Sequence, residues 1–424
     1  MNDYKQTSQI QACLGLFRTS KIGGQHPKPA LYIGGNAMIK TFVASTVEVD
    51  DISIAVEEIL SQIKPETNLL ENSVGIISCH YEFVESGVVE AVCDALPFDI
   101  AGTISWIMSA GEETDTFLMT LMVLTSDDVE FDTVLTPSLN DAPGKVIEES
   151  YKDVTAERNT KPALVFSFAP FMPLNSGDEY VDIITKASGG VPVFGTLAID
   201  DNPDFKNAFM IYNGQPYRDR MAMILCYGNI NPKFYTANIS NEKVLDKTGI
   251  ITKSDGHVIM EVNGRPIDAF FEDLGLIKAS ETYSALSTMP FMLDYNDGTP
   301  KVSKIFIMLT PERYALCAGA VPEGCTLQIA TPDKSDILLT TKKATEQILK
   351  DAENASGLLI YSCVSRSMTL GVEQLGEAQL VSNLATNKLP HMMLCSGGEI
   401  CPTQIENGIA TNRFHNNAFI ACLF

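Results

Sequence analysis

Two residues have the most specific chemistry in this chain. Arg366 stands three positions after Cys363, just past an apolar run, and Glu399 follows Ser396-Gly397-Gly398 just past another. A planar guanidinium grips a carboxylate through two parallel hydrogen bonds, and a carboxylate accepts an ammonium group, so the pair would read a zwitterion such as an amino acid. In the competing reading Arg366 and Glu399 bond each other or backbone carbonyls and brace the loops. Cys363 and Cys79 end two similar runs, in what read as equivalent places, and His80 follows Cys79. A nucleophilic thiolate needs a base within hydrogen-bond reach and a group to orient that base. Neighbours along a strand point to opposite faces, and Phe168 fills the same place in a third copy, so the position reads as a packed apolar site, with a thiol enzyme as an alternative.

His415-Asn416 opens the last apolar run, where His415 is expected to hydrogen-bond loop backbone; His391 reads as a core residue. The five histidines (His26, His80, His257, His391 and His415) form no HxxxH, HxH or Cys-His cluster, which argues against zinc. A single axial histidine would suffice for haem, so haem stays as an alternative cofactor. The glycine pairs at Gly34, Gly189 and Gly397 lack a phosphate-loop pattern and read as turns. The acidic run Asp200 to Asp204 lacks the alternating ligands of a calcium loop and reads as solvated.

The elements that must position these groups repeat. Leu358–Tyr361, a helical pattern through Val372, Leu375, Leu380, Val381 and Leu384, His391–Cys395, a polar loop and a terminal strand form one unit. Val74–Cys79, a helical segment from about Gly87 to Leu96, the strand after Pro97, a loop at Gly111-Glu112 and Phe117–Leu124 form another. Ala163–Phe168, Glu179–Ala187, Val191–Thr196, an Asp- and Asn-rich loop and Ala208–Tyr212 form a third. The shared order implies a duplicated module. A helix is expected over residues 51–64, with Asp50 or Asp51 as N-cap and Pro65 beyond its end. Asp255-Gly256 marks a hairpin, and residues 291–318 read as a meander.

At 424 residues the chain is long for one core, so two parts are expected. A hydrophobic content of 45% against 20% charged is an ordinary globular balance. The net charge of −23, without clustered Lys and Arg, excludes non-specific binding to nucleic acid or anionic membranes. No apolar window reaches the roughly 20 residues of a membrane span. Ten cysteines without CxxC spacing, and a start that does not read as a signal peptide, imply a cytoplasmic protein.

Cys363-x-x-Arg366, Gly398-Glu399-Ile400-Cys401-Pro402 and His415-Asn416 resemble the C-terminal part of the FIST (F-box and intracellular signal transduction) family. Val193-Phe194-Gly195 followed by Asp200-Asp201, Phe209 through Gly214, and Glu261 to Gly264 resemble its N-terminal part. The chain departs from the pattern at Met393, where a glycine is expected, and at Ala418, where a hydroxyl residue is common. The resemblance implies an α/β fold of mixed sheets with flanking helices in two related parts. These are a segment 1–32, a FIST N-terminal-like domain 33–240 and a FIST C-terminal-like domain 241–424, whose residues 241–275 form a connector. It also implies a sensor of a small molecule, amino acids being among those proposed. With the chemistry above, the expected ligand is an amino acid or other carboxylate metabolite and the expected ligand-binding residues are Arg366, Glu399, Cys363, His415 and Asn416. Such a sensor relays to a histidine kinase, a cyclic-dinucleotide enzyme or a chemoreceptor; haem-based nitric oxide sensing is known in one branch.

Overall fold

A computed structural model describes residues 39–171, 177–202, 204–277 and 289–424. The expected segment 1–32, the Gly34 turn and His26 lie outside these residues.

Local rules set the first helix. Asp51 has extended backbone, and its carboxylate accepts from the amides of Ser53 and Ile54 at 3.0 and 3.2 Å, capping the helix Ile52–Ile63. Ala55, Ile59 and Ile63 bury one face, Lys64 takes left-handed backbone, and Pro65 prevents continuation.

The elements run in three units. The first is β1 (Lys40–Thr46), α1 (Ile52–Ile63), α2 (Pro65–Asn68), β2 (Asn72–Cys79), α3 (Glu82–Glu85), α4 (Val88–Asp94), β3 (Ile100–Ile104), the hairpin β4 (Met108–Ala110) and β5 (Glu113–Asp115), and β6 (Met119–Ser126). The second is β7 (Glu130–Leu135), α5 (Pro143–Thr155), β8 (Leu164–Ala169), α6 (Gly177–Ser188), β9 (Val193–Leu197), the hairpin β10 (Met210–Tyr212) and β11 (Gln215–Tyr217), and β12 (Ala222–Tyr227). The third opens with β13 (Lys233–Ala237). An insertion follows: β14 (Val244–Asp255), β15 (Val258–Val262), β16 (Arg265–Pro266), α7 (Ile267–Asp273), β17 (Met289–Asp294), β18 (Val302–Leu309), β19 (Ala315–Cys317) and β20 (Thr326–Ala330). The third unit then resumes with α8 (Lys334–Lys350), β21 (Leu358–Cys363), α9 (Val364–Leu370), α10 (Gly376–Ala385), β22 (His391–Ser396), the hairpin β23 (Glu399–Glu406) and β24 (Ile409–His415), and β25 (Phe419–Leu423).

Each unit builds the same mixed sheet. β2, β8 and β21 run parallel to β3, β9 and β22 on one side. On the other side they run antiparallel to β6, β12 and β25. The hairpins do not stay in their own sheets: β10 pairs with β3, β23 with β9, and β4 with β22. Three equivalent backbone bonds extend these crossings: Ile104 N–H to Phe209 O at 3.1 Å, Leu197 N–H to Gly398 O at 3.0 Å, and Cys395 N–H to Ile107 O at 2.8 Å. The units are thus linked in a cycle. Their inner faces share one core, with Ile76 and Met122 from the first, Phe166, Phe194 and Ile224 from the second, and Leu359, Tyr361 and Ile420 from the third. Helices cover the outer faces. In the insertion β14 pairs with both β20 and β15, which closes six antiparallel strands into a barrel around Phe271, Phe291 and Phe306.

The mixed α/β class and the repeated order are as the sequence implies, with several local differences. The strand closing the second unit's sheet is β12; residues 208–212 instead supply the crossing hairpin. The polar stretch after Pro402 is the hairpin β23–β24. The helix expected through Val372 is two helices broken at Gly371 (φ 61°), leaving Val372 fully exposed. Met210, Glu399 and Met108 enter opposite Thr103, Thr196 and Leu394, which aligns Ser78, Phe168 and Tyr361. Cys79 therefore corresponds to Ser362 and not to Cys363. A one-residue offset places a side chain on the opposite face. Residues 240/241 fall between β13 and the barrel, and β13 itself pairs with β25.

In the same alignment Gly102 and Gly195 correspond to Met393. A β-carbon on Gly102 would overlap the Ile77 carbonyl oxygen, so Gly102→Ala is expected to cost about 1–3 kcal/mol or more. Gly144→Ala in α5 would meet only Ile183 at 3.4 Å and should be neutral or stabilising by up to about 1 kcal/mol. Urea midpoints of the two variants check this contrast.

Candidate functional site

At the end of β21 the chain turns straight into α9, which sets Cys363, Ser365 and Arg366 over the strand ends. Arg366 is fully buried. Its Nε and Nη2 both donate to Glu377 Oε1, at 3.0 and 2.7 Å, and Nη2 also donates to Thr341 Oγ1 at 2.9 Å and to the Ile337 carbonyl at 3.4 Å. The other Glu377 oxygen accepts from Ser362 Oγ at 2.5 Å. Arg366 therefore pairs with Glu377 from α10, and its two-pronged edge is occupied. Only Nη1 is without a partner. Arg366 and Glu399 do not bond each other, although the Arg366 charge reaches the Glu399 carboxyl; of the bracing contacts weighed from sequence, Arg366 makes the one to a backbone carbonyl, that of Ile337.

Glu399 opens β23, so it belongs to the strand that crosses into the second unit's sheet. It is fully buried. Oε2 accepts from the Ala418 amide at 3.4 Å, and Oε1 has no partner. Burial holds its pKa well above the usual carboxylate range, against the pull of Ser396, Ala418, Cys363 and Arg366. Cys363 lies beside it, accepting from Ser365 Oγ at 3.2 Å, and burial pushes the thiol up to about 12. That is the reverse of the lowered pKa that activates a thiol nucleophile. Burial likewise raises Cys79, which packs with Ile77 and Phe83.

The turn between β24 and β25 completes the cluster. Asn417, at φ 52°, donates from Nδ2 to Ser365 Oγ at 2.8 Å. Its Oδ1 and both side-chain polar atoms of Asn416 are buried without partners. The Asn416 amide donates to the Ser303 carbonyl of the barrel at 2.9 Å. His415 is buried against the Cys401 carbonyl, 3.3 Å from Nε2, as expected of a backbone-bonding histidine. Burial, aided by the Lys304 charge, pulls it down to about 3.

The cluster thus joins Cys363, Ser365, Glu399 and the 416–417 turn, with Arg366 and Glu377 alongside. Buried polar groups are nearly always bonded, and here Glu399 Oε1, both side-chain polar atoms of Asn416, Asn417 Oδ1 and Arg366 Nη1 have no partner within the chain. The FIST N domain matches residues 73–265 and the FIST C domain residues 267–402. The chain belongs to the FIST family. FIST domains are signal-transduction domains, and the cluster lies in the C domain and just past its matched end. A comparison with curated proteins finds no match. The junction of the two FIST matches falls inside the barrel, between β16 and α7.

Sequence reasoning missed Glu377 and Asn417. The signal for Glu377 was a carboxylate four positions before Val381 on the buried stripe of α10. Asp200, read as part of a solvated loop, is buried and accepts from the Asn207 amide at 2.9 Å. Three cavities among the described residues, of about 490, 140 and 10 Å³, have no histidine in their walls. Among the described residues, no three His, Cys, Asp or Glu side chains converge on a metal position, and no helix is long and apolar enough to cross a membrane.

Removing one member of a buried ion pair strands its partner, so Glu377→Leu is expected to cost about 3–5 kcal/mol. Arg366→Met combined with Glu377→Leu should recover most of it, measured by urea unfolding. Stability should also depend on pH in two opposed ways. Folded Glu399 keeps its proton to higher pH than the unfolded carboxyl, near 4.3, so its contribution is present below about pH 4.3 and is lost as pH rises. His415 is neutral when folded down to about pH 3, so its contribution is present above about pH 6.5 and is lost as pH falls. Glu399→Gln should abolish the first limb and His415→Asn the second, each with a slope of up to about 1.4 kcal/mol per pH unit.

Proposed function

We propose that this FIST protein is a sensor that binds a small carboxylate metabolite, such as an amino acid, at the Cys363–Glu399–Asn416 cluster and relays its presence to a partner protein. The observation that supports this most directly is the set of unpartnered buried atoms. Asn416 Nδ2 and Arg366 Nη1 are donors for a ligand carboxylate, as is the Glu399 carboxyl when it carries a proton, which burial favours, and the side-chain oxygens of Asn416 and Asn417 are acceptors for an ammonium group. A single donor from Nη1 replaces the two-pronged grip suggested by sequence, because Glu377 holds the other edge.

The cavity beneath α9 and α10, lined by Ser362, Cys363 and Glu377, is only about 10 Å³. A metabolite therefore enters only when the cover of α9 and α10 moves. The break at Gly371 supplies the hinge, and a ligand that favours the open arrangement shifts the population toward it. Sensing and movement are then the same event, which a partner can read.

Thermal unfolding of the full chain against a panel of amino acids and organic acids tests this. A ligand at a hundred times its dissociation constant adds about 2.7 kcal/mol. The expected result is a raised midpoint for a few related compounds, lost in Asn416→Ala and Glu399→Gln. No response to any compound, or a response unchanged in both variants, overturns the reading.

A further inference from the structure

Away from the cluster, a cavity of about 140 Å³ opens where helix α6, strand β24 and the barrel meet. A cavity of about 150 Å³ accommodates a six-carbon ring. Its walls include Val181 and Phe414, the aromatic Tyr295, and the charged Asp178, Asp182 and Arg413. Most of these charges are already matched. Asp178 binds Lys304 Nζ through both oxygens, at 2.8 and 3.0 Å, and also accepts from the Ala320 amide at 2.7 Å. Arg413 lies over the Tyr295 ring, 4.0 Å from its centre, and pairs with Asp297 at 2.5 Å. Two pairs cancel and Asp182 remains, one turn along α6 from Asp178, as the odd negative charge at the mouth. Arg413 Nε is buried without a partner, so the wall also offers one unused donor.

We propose that this cavity is a second ligand site, selective for a small monocationic amine that carries an oxygen acceptor, with Asp182 taking the ammonium and Arg413 Nε–H the oxygen. The aliphatic stem lies against Val181 and Phe414. A zwitterion would leave the negative balance uncorrected, and an uncharged alcohol would leave Asp182 unmatched, so both bind more weakly than the amine. The site is separate from the Cys363–Glu399 cluster, and its ligand is of opposite charge character.

Isothermal titration of the full chain with 3-amino-1-propanol is the test, with 1-propanol and 3-aminopropanoate as controls. Saturable binding of the amine is expected, at least tenfold tighter than either control. It should be weakened at least tenfold in Asp182→Asn, which changes an exposed side chain. Asn416→Ala should leave it unchanged, which separates this site from the proposed metabolite site. Absence of saturable binding to the wild-type chain, equal affinity in Asp182→Asn, or equal affinity for 1-propanol overturns the proposal.

Discussion

Everything else in this fold depends on the cyclic exchange of hairpins. A sheet that ended at β3, β9 or β22 would present an open row of backbone donors and acceptors, a template for unwanted pairing. Each edge is closed by a hairpin that another unit supplies. No unit completes its sheet alone, and the inner faces are dry only when all three are assembled around Phe166, Phe194 and Tyr361. The exchange therefore makes folding of the three units one cooperative problem, in spite of their separate helical layers.

The barrel enters this arrangement between β13 and α8, two elements that would otherwise follow one another. It is held by polar contacts as well as packing: Lys304, fully buried, pairs with Asp178 of the second unit, and Ser303 accepts from Asn416 of the third. Burying a lysine carries a desolvation cost of several kcal/mol that its partner must offset, so such a pair specifies a position more than it adds stability. The barrel is thereby registered against both α6 and the turn that forms one wall of the candidate site. Movement at that turn and movement of the barrel are mechanically joined.

How much of this was legible in the sequence follows the range of the interactions. The helix Ile52–Ile63, its Asp51 cap and the apolar strand runs were readable because period and capping are local. The repeat was readable because its order survived divergence. The hairpin β23–β24 was not, since its pairing partner β9 lies some two hundred residues earlier and its own pattern is polar. The equivalence drawn between Cys79 and Cys363 failed for a related reason: register is fixed by cross-strand pairs, and a slip of one exchanges faces. At the site, Arg366 and Glu399 were rightly placed at strand ends. Sequence could not show that Glu377 lies nearer to Arg366, because that contact depends on how α10 packs on α8 and β21.

The repeat also bears on the small cavity in the third unit. In the first two units glycine at the Met393 position lets neighbouring backbone pack where a side chain would stand, as Gly102 does against Ile77 and Gly195 against Ser167. Those positions have no room for a wall. In the third unit Met393 stands there, α9 begins at once after β21, and the small cavity forms between Met393, Ser362 and Glu377. The departure from glycine that looked like a flaw in the family pattern is thus what separates the strand ends from the helices above them. Polar groups that line the cavity are bonded: Ser367 Oγ donates to the Val364 carbonyl at 2.8 Å, and Ser362 Oγ to Glu377 at 2.5 Å. A single substitution in a repeated position, glycine to methionine, thus goes with a gap between sheet and helices in the third of three near-equivalent units.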